Sequence, residues 1–370
     1  MKTRIRRKKT HVLLHLILLA AIIVTGSSFT GIEPSKQADL LQQQLQRYRE
    51  IQRKGGWQKI TLLKNQYRKG ESGRTIAQLK KRLLTSGDFE EADTSSLYSL
   101  ALEAAVKRVQ RRFGFPENGV IEASLVMELN VPVEDRLAQL AANQQRAAMQ
   151  SSPASGNRIV VNIPEYKLHV YENNNEVLSI NVVVGKESTR TAIFDAALSQ
   201  VVFSPYWNVP PSIVENEILP AMRRNKRYLS THNYEITGYE DGLPVVRQRP
   251  GGRNSLGKVK FLFPNDHAIY FHDTPEKALF KNRIRAYSHG CIRLEEPEKL
   301  AAYLLRNNPE WLDTDIEEAI NSGSEKWVKL AQPVPVTITY FTAWVDNEGL
   351  LNFRDDIYHY DSRPAIASID

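Results

Sequence analysis

One feature constrains this chain more than any other: its hydrophobic period changes at residue 158. Before that point apolar residues recur at helical steps, as Ala38, Leu41, Leu45, Tyr48 and Ile51, then Ile76, Leu79 and Leu83, then Leu100, Ala104, Val106, Val109 and Phe113. After it the runs are short, β-branched and alternating: Arg158–Ile163, Tyr166–Tyr171, Glu176–Val184, Gln200–Ser204, Lys258–Phe263, His267–His272, Val334–Tyr340, Ala343–Val345 and Leu350–Phe353. A helical period does not sit as a strand, nor the reverse. The chain must therefore join a helical front part to a mainly β rear part, and its 370 residues give room for two or three domains of about 150 residues each.

Punctuation residues divide it further. Residues 29–71 form a helical N-terminal segment that starts at Pro34-Ser35 and is broken at Gly55-Gly56. Residues 72–133 form a small helical domain, and 134–157 a polar helix followed by the linker Ser151-Ser152-Pro153-Ala154-Ser155-Gly156-Asn157. The β domain covers 158–355, with a tail at 356–370. Within it, the prolines of 205–211 predict a rigid non-strand segment and a helix follows over 212–224. Residues 226–258 read as irregular, an insert that acts as a lid or shapes the substrate. Two helices follow the cysteine segment, at about 296–306 and 314–321, and Asn347-Glu348-Gly349 predicts a hairpin turn.

The charge is unevenly distributed along the chain. Of the cations behind the net charge of +7, Lys2, Arg4, Arg6, Arg7, Lys8 and Lys9 crowd the first residues, and the remaining body is close to neutral. Nothing there supports nucleic-acid binding. The cations precede an apolar run from Val12 to Val24 and a small polar stretch, Thr25-Gly26-Ser27-Ser28. Residues 1–28 thus read as a signal peptide or, if uncleaved, a membrane anchor; the inner membrane is a partner only in the second case. Both place the body outside the cytoplasm, in the periplasm or cell envelope. No cysteine follows the run, which excludes a lipoprotein anchor.

Cys291 is the sole cysteine, so an internal disulfide is excluded in an exported chain. It stands in Tyr287-Ser288-His289-Gly290-Cys291-Ile292-Arg293, with His272 upstream in Ile269-Tyr270-Phe271-His272-Asp273. A thiol needs a base or a positive neighbour to ionise near neutral pH. Two histidines qualify. If a strand continues through the motif, His289 shares a face with Cys291. His272 meets it only through the fold, with Asp273, Thr274 or a backbone carbonyl fixing its tautomer. Gly290 permits a tight bend, and a backbone amide at the cysteine is a candidate oxyanion donor. Arg293 binds a substrate carboxylate or braces the loop. The spacing of His267, His272, His289 and Cys291 matches no common zinc pattern, and no phosphate-binding glycine loop is present; neither metal nor cofactor is expected.

The pattern Ser288-His289-Gly290-Cys291-x-Arg293, with His272 ending an upstream strand, resembles the L,D-transpeptidase (YkuD-type) catalytic domain. Phe203-Ser204-Pro205-Tyr206-Trp207-Asn208-Val209-Pro210, Phe261-Leu262-Phe263-Pro264-Asn265 and His272-Asp273-Thr274-Pro275 resemble its YcbB-type subgroup, although many family members have Gly at the position of Asp273. Ala105–Gly114 followed by Asn118-Gly119-Val120-Ile121 resembles the three-helix peptidoglycan-binding domain. The resemblance implies a β-sandwich catalytic domain with a few helices and a lid, preceded by the helical domain. It implies 3→3 cross-linking of peptidoglycan stem peptides through a thioester on Cys291, with His272 as general acid and base and His289 orienting the thiol or lining the oxyanion site. Gly290 is expected to offer an oxyanion amide, and Arg293, Ser288, Tyr287 and Tyr270 to bind substrate. Partners are then donor and acceptor stems, with glycan strands held by the helical domain, and carbapenems would acylate the thiol. Alternatives with the same site are an L,D-carboxypeptidase and a protein-to-peptidoglycan linking enzyme; a non-catalytic wall-binding protein is the remaining reading.

Overall fold

The computed structural model describes residues 32–90, 93, 95–150, 156–311 and 313–362. The leader expected at 1–28 lies outside the described residues, as do most of the linker and the chain end. The front part is helical: α1 (Pro34–Arg53), a short β1 (Gln66–Tyr67), α2 (Arg74–Ser86), α3 (Leu100–Arg112), β2 (Ile121–Glu122), α4 (Ala123–Leu129) and α5 (Val133–Met149). Local chemistry sets several ends. Ser99 caps α3 by accepting from the Leu102 amide, and Gly87 closes α2 in the left-handed conformation. Leu41, Leu45, Ile76, Leu79, Leu83, Leu102, Val109 and Leu125, residues spaced for helix faces, meet in one core.

The rear part is built on β3 (Arg158–Asn162), β4 (Lys167–Glu172), β5 (Asn175–Gly185), β6 (Phe194–Phe203), β7 (Trp207–Asn208), β8 (Tyr234–Glu240), β9 (Leu243–Gln248), β10 (Val259–Leu262), β11 (Phe271–His272), β12 (Ala286–Ser288), β13 (Ile292–Leu294) and β14 (Lys326–Thr339). Nine of these form one sheet in the order β12-β5-β13-β11-β10-β6-β14-β3-β4. Strand β4 also pairs with β5, so the expected sandwich is realised as one sheet that closes on itself. Alternation along the strands turns Ile159, Val161, Leu168, Val170, Val182, Phe261, Phe271 and Ile292 into a shared core. Helices α9 (Pro297–Leu305) and α10 (Asp313–Asn321) follow, and Leu300 and Ile316 join that core.

The insert departs from expectation. Residues 226–258 are not irregular. After a helical stretch of α6 (Pro211–Ile213), a π-helical turn (Val214–Ile218) and α7 (Leu219–Arg224), and the single turn α8 (Tyr228–Thr231), strands β8 and β9 form a hairpin; β9 also pairs with β7 inside the segment read as non-strand. The sequence gives little sign of the hairpin because most of β8 faces solvent, so no buried apolar face marks it. Its register is held instead by cross-strand pairs such as Glu235 with Arg247. A core of Val209, Val214, Ile218 and Val246 joins the preceding helical stretch to the hairpin, so the insert is a wider unit than 226–258 and includes that stretch.

The C-terminal hairpin, β15 (Ala343–Val345) with β16 (Leu351–Phe353), buries Trp344 and Phe353 in the helical core rather than in the β core. Gln37 Nε2 donates to the Val345 carbonyl at 3.2 Å and Arg112 Nε to the Leu351 carbonyl at 2.5 Å. The hairpin thus joins the two parts of the molecule. Beyond it, Tyr358 is fully buried in the β core, in a segment that reads as a tail from sequence.

Candidate active site

The site is a product of strand register. Antiparallel β10 and β11 place Lys260 opposite His272 and Phe261 opposite Phe271. Parallel β11 and β13 place Phe271 opposite Ile292 and His272 opposite Arg293. Phe261, Phe271 and Ile292 are in the core. The alternate positions Lys260, Tyr270, His272, Cys291 and Arg293 therefore share the other face. Tyr270, not His272, is the register neighbour of Cys291, and the Ile292 amide donates to the Tyr270 carbonyl at 3.2 Å.

Cys291 is partly exposed, and its thiol lies 3.7 Å from the Ala268 carbonyl oxygen. Burial pushes the thiol up; the Tyr270 amide and hydroxyl, and the charges of Lys260 and Arg293, work against that and favour the thiolate. The Tyr270 hydroxyl is held protonated, raised by burial and by the adjacent Cys291, and it also faces the Trp207 side chain. His272 is 5% exposed. Burial, then the cations Arg293 and Lys260, lower it to about 3, so the ring is neutral at any physiological pH. Its Nδ1 donates to the Asp273 carbonyl at 2.5 Å, which leaves Nε2 as the acceptor. Of the expected tautomer-fixing partners, the backbone carbonyl is the one present. The Asp273 carboxylate instead accepts from the Lys258 amide at 2.8 Å and sits over Gly257, whose missing Cβ (φ +61°) leaves the space.

The turn between β12 and β13 carries Cys291. The strand does not continue through it: Gly290 has φ +115°, so the shared strand face expected for His289 and Cys291 is absent. His289 turns outward to the insert, with Nε2 2.9 Å from Glu217 Oε1. Two further expectations are corrected here. Ser288 is buried and does not face a substrate; its hydroxyl donates to the Cys291 carbonyl at 2.5 Å and accepts from the Gly290 amide at 3.1 Å. The same bond occupies the Gly290 amide, so it is not a free oxyanion donor. The Cys291 amide donates to no partner among the described residues and keeps that role available. Tyr287 is 42% exposed, its hydroxyl accepting from Asn282 at 3.1 Å. Arg293 pairs with Glu276, which is the bracing arrangement, while its charge still reaches the thiol and His272.

The turn is clamped from below. Thr191 Oγ1 donates to the Gly290 carbonyl at 2.8 Å and Thr189 Oγ1 to the Ser288 carbonyl at 2.9 Å. Tyr358 donates to the Gly185 carbonyl at 2.6 Å and accepts from the Thr191 amide at 3.1 Å. Lys260, Thr191, Tyr358 and Glu217 are the site residues the sequence did not reveal. Lys260 had a signal, since Val259, Phe261 and Phe263 alternate with it; the others come from distant segments. Among the described residues no group of three or more His, Cys, Asp or Glu is placed to hold a metal ion. The arrangement brings together a thiol, a neutral imidazole acceptor, two cations and a backbone amide, groups with which acyl transfer can be carried out.

Comparison with known proteins agrees with the chemistry. Residues 156–329 match the YkuD family model, described as the L,D-transpeptidase catalytic domain. The chain is 34% identical over 263 residues to a curated Haemophilus influenzae protein named "Putative L,D-transpeptidase", a match that covers 67% of this chain and 53% of that protein. The chain thus spans about half the length of that relative. Solved L,D-transpeptidases from Xylanimonas cellulosilytica (13% identity, TM-score 0.25, 75% of this chain and 100% of that one) and Stackebrandtia nassauensis (15% identity, TM-score 0.27, 74% and 94%) also match, and at such scores they add no argument. Residues 156–329 are an L,D-transpeptidase catalytic domain of the YkuD family.

Proposed function

We propose that this protein forms 3→3 cross-links between peptidoglycan stem peptides through a thioester on Cys291. The observation that carries the reading is the single sheet face that unites Cys291 with a neutral His272 whose Nε2 is its free acceptor. The Cys291 thiol gives its proton to His272 Nε2, and sulfur attacks the carbonyl of the third stem residue. The oxyanion takes the Cys291 amide. D-alanine leaves with the proton from His272. The side-chain amine of a second stem then gives a proton to His272 and attacks the thioester, which restores the thiol. Two easy steps replace one difficult amide exchange without an external energy source. The insert, whose helix meets His289 through Glu217, covers the turn and limits water.

The wider assignment is part of the same proposal. The chain is exported to the periplasm or envelope by its leader, cleaved or retained as an anchor; it is of the YcbB type, its helical front part binds glycan strands, and a carbapenem acylates Cys291. Purified enzyme incubated with disaccharide-tetrapeptides is expected to give 3→3 dimers and free D-alanine. Cys291→Ala abolishes both and loses the carbapenem adduct in the mass spectrum. Release of D-alanine without dimer would make the enzyme a carboxypeptidase; turnover by Cys291→Ala would overturn the mechanism.

A further inference from the structure

We propose that Lys260 is the counter-charge of the Cys291 thiolate, the residue that sets how much of the nucleophile is ionised at a given pH. The proposal rests on the L,D-transpeptidase reading only for what the thiolate attacks. Ionisation itself is a property of the folded protein and is measurable without substrate.

The geometry comes from register. Lys260 lies opposite His272, on the face away from Phe261 and the core. Its ammonium sits 4.2 Å from the centroid of the Tyr270 ring, and the Tyr270 hydroxyl in turn faces the thiol. Lys260 is half-buried and makes no ion pair with a carboxylate among the described residues. An ammonium partly withdrawn from water, over a ring and with no carboxylate paired to it, gains when a negative charge forms beside it.

The other groups around the thiol are neutral or already paired with a carboxylate, although the Tyr270 amide and hydroxyl also favour the thiolate. On β13, Arg293 is paired with Glu276. On β11, His272 is neutral and donates to the Asp273 carbonyl, while the Tyr270 hydroxyl is a neutral donor. On the turn, His289 faces Glu217 of the insert. Beside β14, Glu325 accepts from the Tyr206 amide at 2.8 Å and acts on Lys260 less strongly than Cys291 does. Burial disfavours the charged forms of both Lys260 and Cys291, and each opposes that for the other. This division leaves His272 free to be a neutral base. During acyl transfer the thiol proton goes to His272; in a titration without substrate it goes to solvent. Lys260 stabilises the sulfur anion in both.

Cys291 is the sole cysteine, so iodoacetamide reports on it alone. Alkylation rates followed by mass spectrometry across pH give the ionisation profile, with thermal melts to confirm folding. Lys260→Met is expected to slow alkylation at neutral pH roughly tenfold and to move the midpoint to higher pH. Lys260→Arg, which keeps the charge, keeps the wild-type midpoint. If Lys260→Met does not fold, Lys260→Gln carries the same comparison. A wild-type midpoint in the neutral variant overturns the proposal, and so does an unchanged midpoint with a raised KM, which would make Lys260 a substrate-carboxylate ligand. A protein that shows the shift and forms no cross-link leaves this inference standing and removes the functional one.

Discussion

Two histidines are buried in the same closed sheet, His169 on β4 at 0% exposure and His272 on β11 at 5%, and they are opposites in charge. His169 Nε2 lies 3.1 Å from Glu165 and Nδ1 lies 3.0 Å from Glu176. Burial alone would lower it, but the two carboxylates overcome this and raise it to about 9. His272 has Arg293 and Lys260 instead, and is lowered to about 3. Burial is common to both; the sign of the neighbouring charge decides. One imidazole is a structural cation that ties β4 to β5. The other is a neutral ring with a free acceptor nitrogen on the face that carries Cys291.

Replacing each with glutamine breaks the comparison most directly. His272→Gln is expected to lose about 10²–10⁴ in turnover, the usual range for a general acid–base group, with little change in unfolding midpoint. His169→Gln leaves Glu165 and Glu176 without their cation and is expected to cost about 3–5 kcal/mol of stability, with turnover per folded molecule unchanged. Denaturant unfolding and D-alanine release on the same preparations separate the two. A His272→Gln enzyme with wild-type turnover, or a His169→Gln protein of wild-type stability, would erase the distinction.

The same contrast fixes two opposite pH dependences. The folded value of His169 lies above the unfolded one near 6.5, so its contribution is complete below that pH and is lost as pH rises through about 9. The folded value of His272 lies below 6.5, so the unfolded state takes up more protons between about 6.5 and 3 and stability falls with acid across that window. Urea unfolding across pH is expected to show the deficit of His169→Gln shrinking above pH 7 and the acid slope flattening in His272→Gln. A deficit of His169→Gln that grows with alkali would mean that the carboxylates do not hold the ring charged.

These contrasts also mark what the sequence could disclose. The period change at 158 and the juxtaposition of Cys291 with an upstream His272 were legible, because each is written in the residue or its near neighbours. His169, by contrast, reads only as one position in the alternating YKLHVY run, since Glu165 reaches it through the 3-10 turn Ile163–Glu165 that precedes β4, and Glu176 becomes its partner only when β4 pairs with β5. Lys260 is likewise a solvent-face lysine until β10 meets β11. Ser288 and Gly290 were misassigned because their motif suggests substrate contact, while the φ of Gly290 folds the turn so that they satisfy each other. The hairpin β15–β16 follows the β pattern yet packs on helices, a partnership that no local period records.

His289 is the third case and the smallest expected effect. It has a carboxylate like His169, but the side chains of His289 and Glu217 are 42% and 53% exposed. Water screens such a pair, and its worth is roughly 0.2–1 kcal/mol. Glu217→Gln is therefore expected to leave the unfolding midpoint nearly unchanged. The contact joins the π-helical turn of the insert to the turn that carries Cys291, so its loss bears on how the insert sits over bound substrate. A modest rise in KM with kcat retained is expected, and it should shrink as salt is raised, because the pair is already screened there. Steady-state kinetics at low and high ionic strength check this. A stability loss as large as that of His169→Gln would show that exposure does not scale these carboxylate–histidine contacts, and would place the insert among the elements that hold the catalytic fold together.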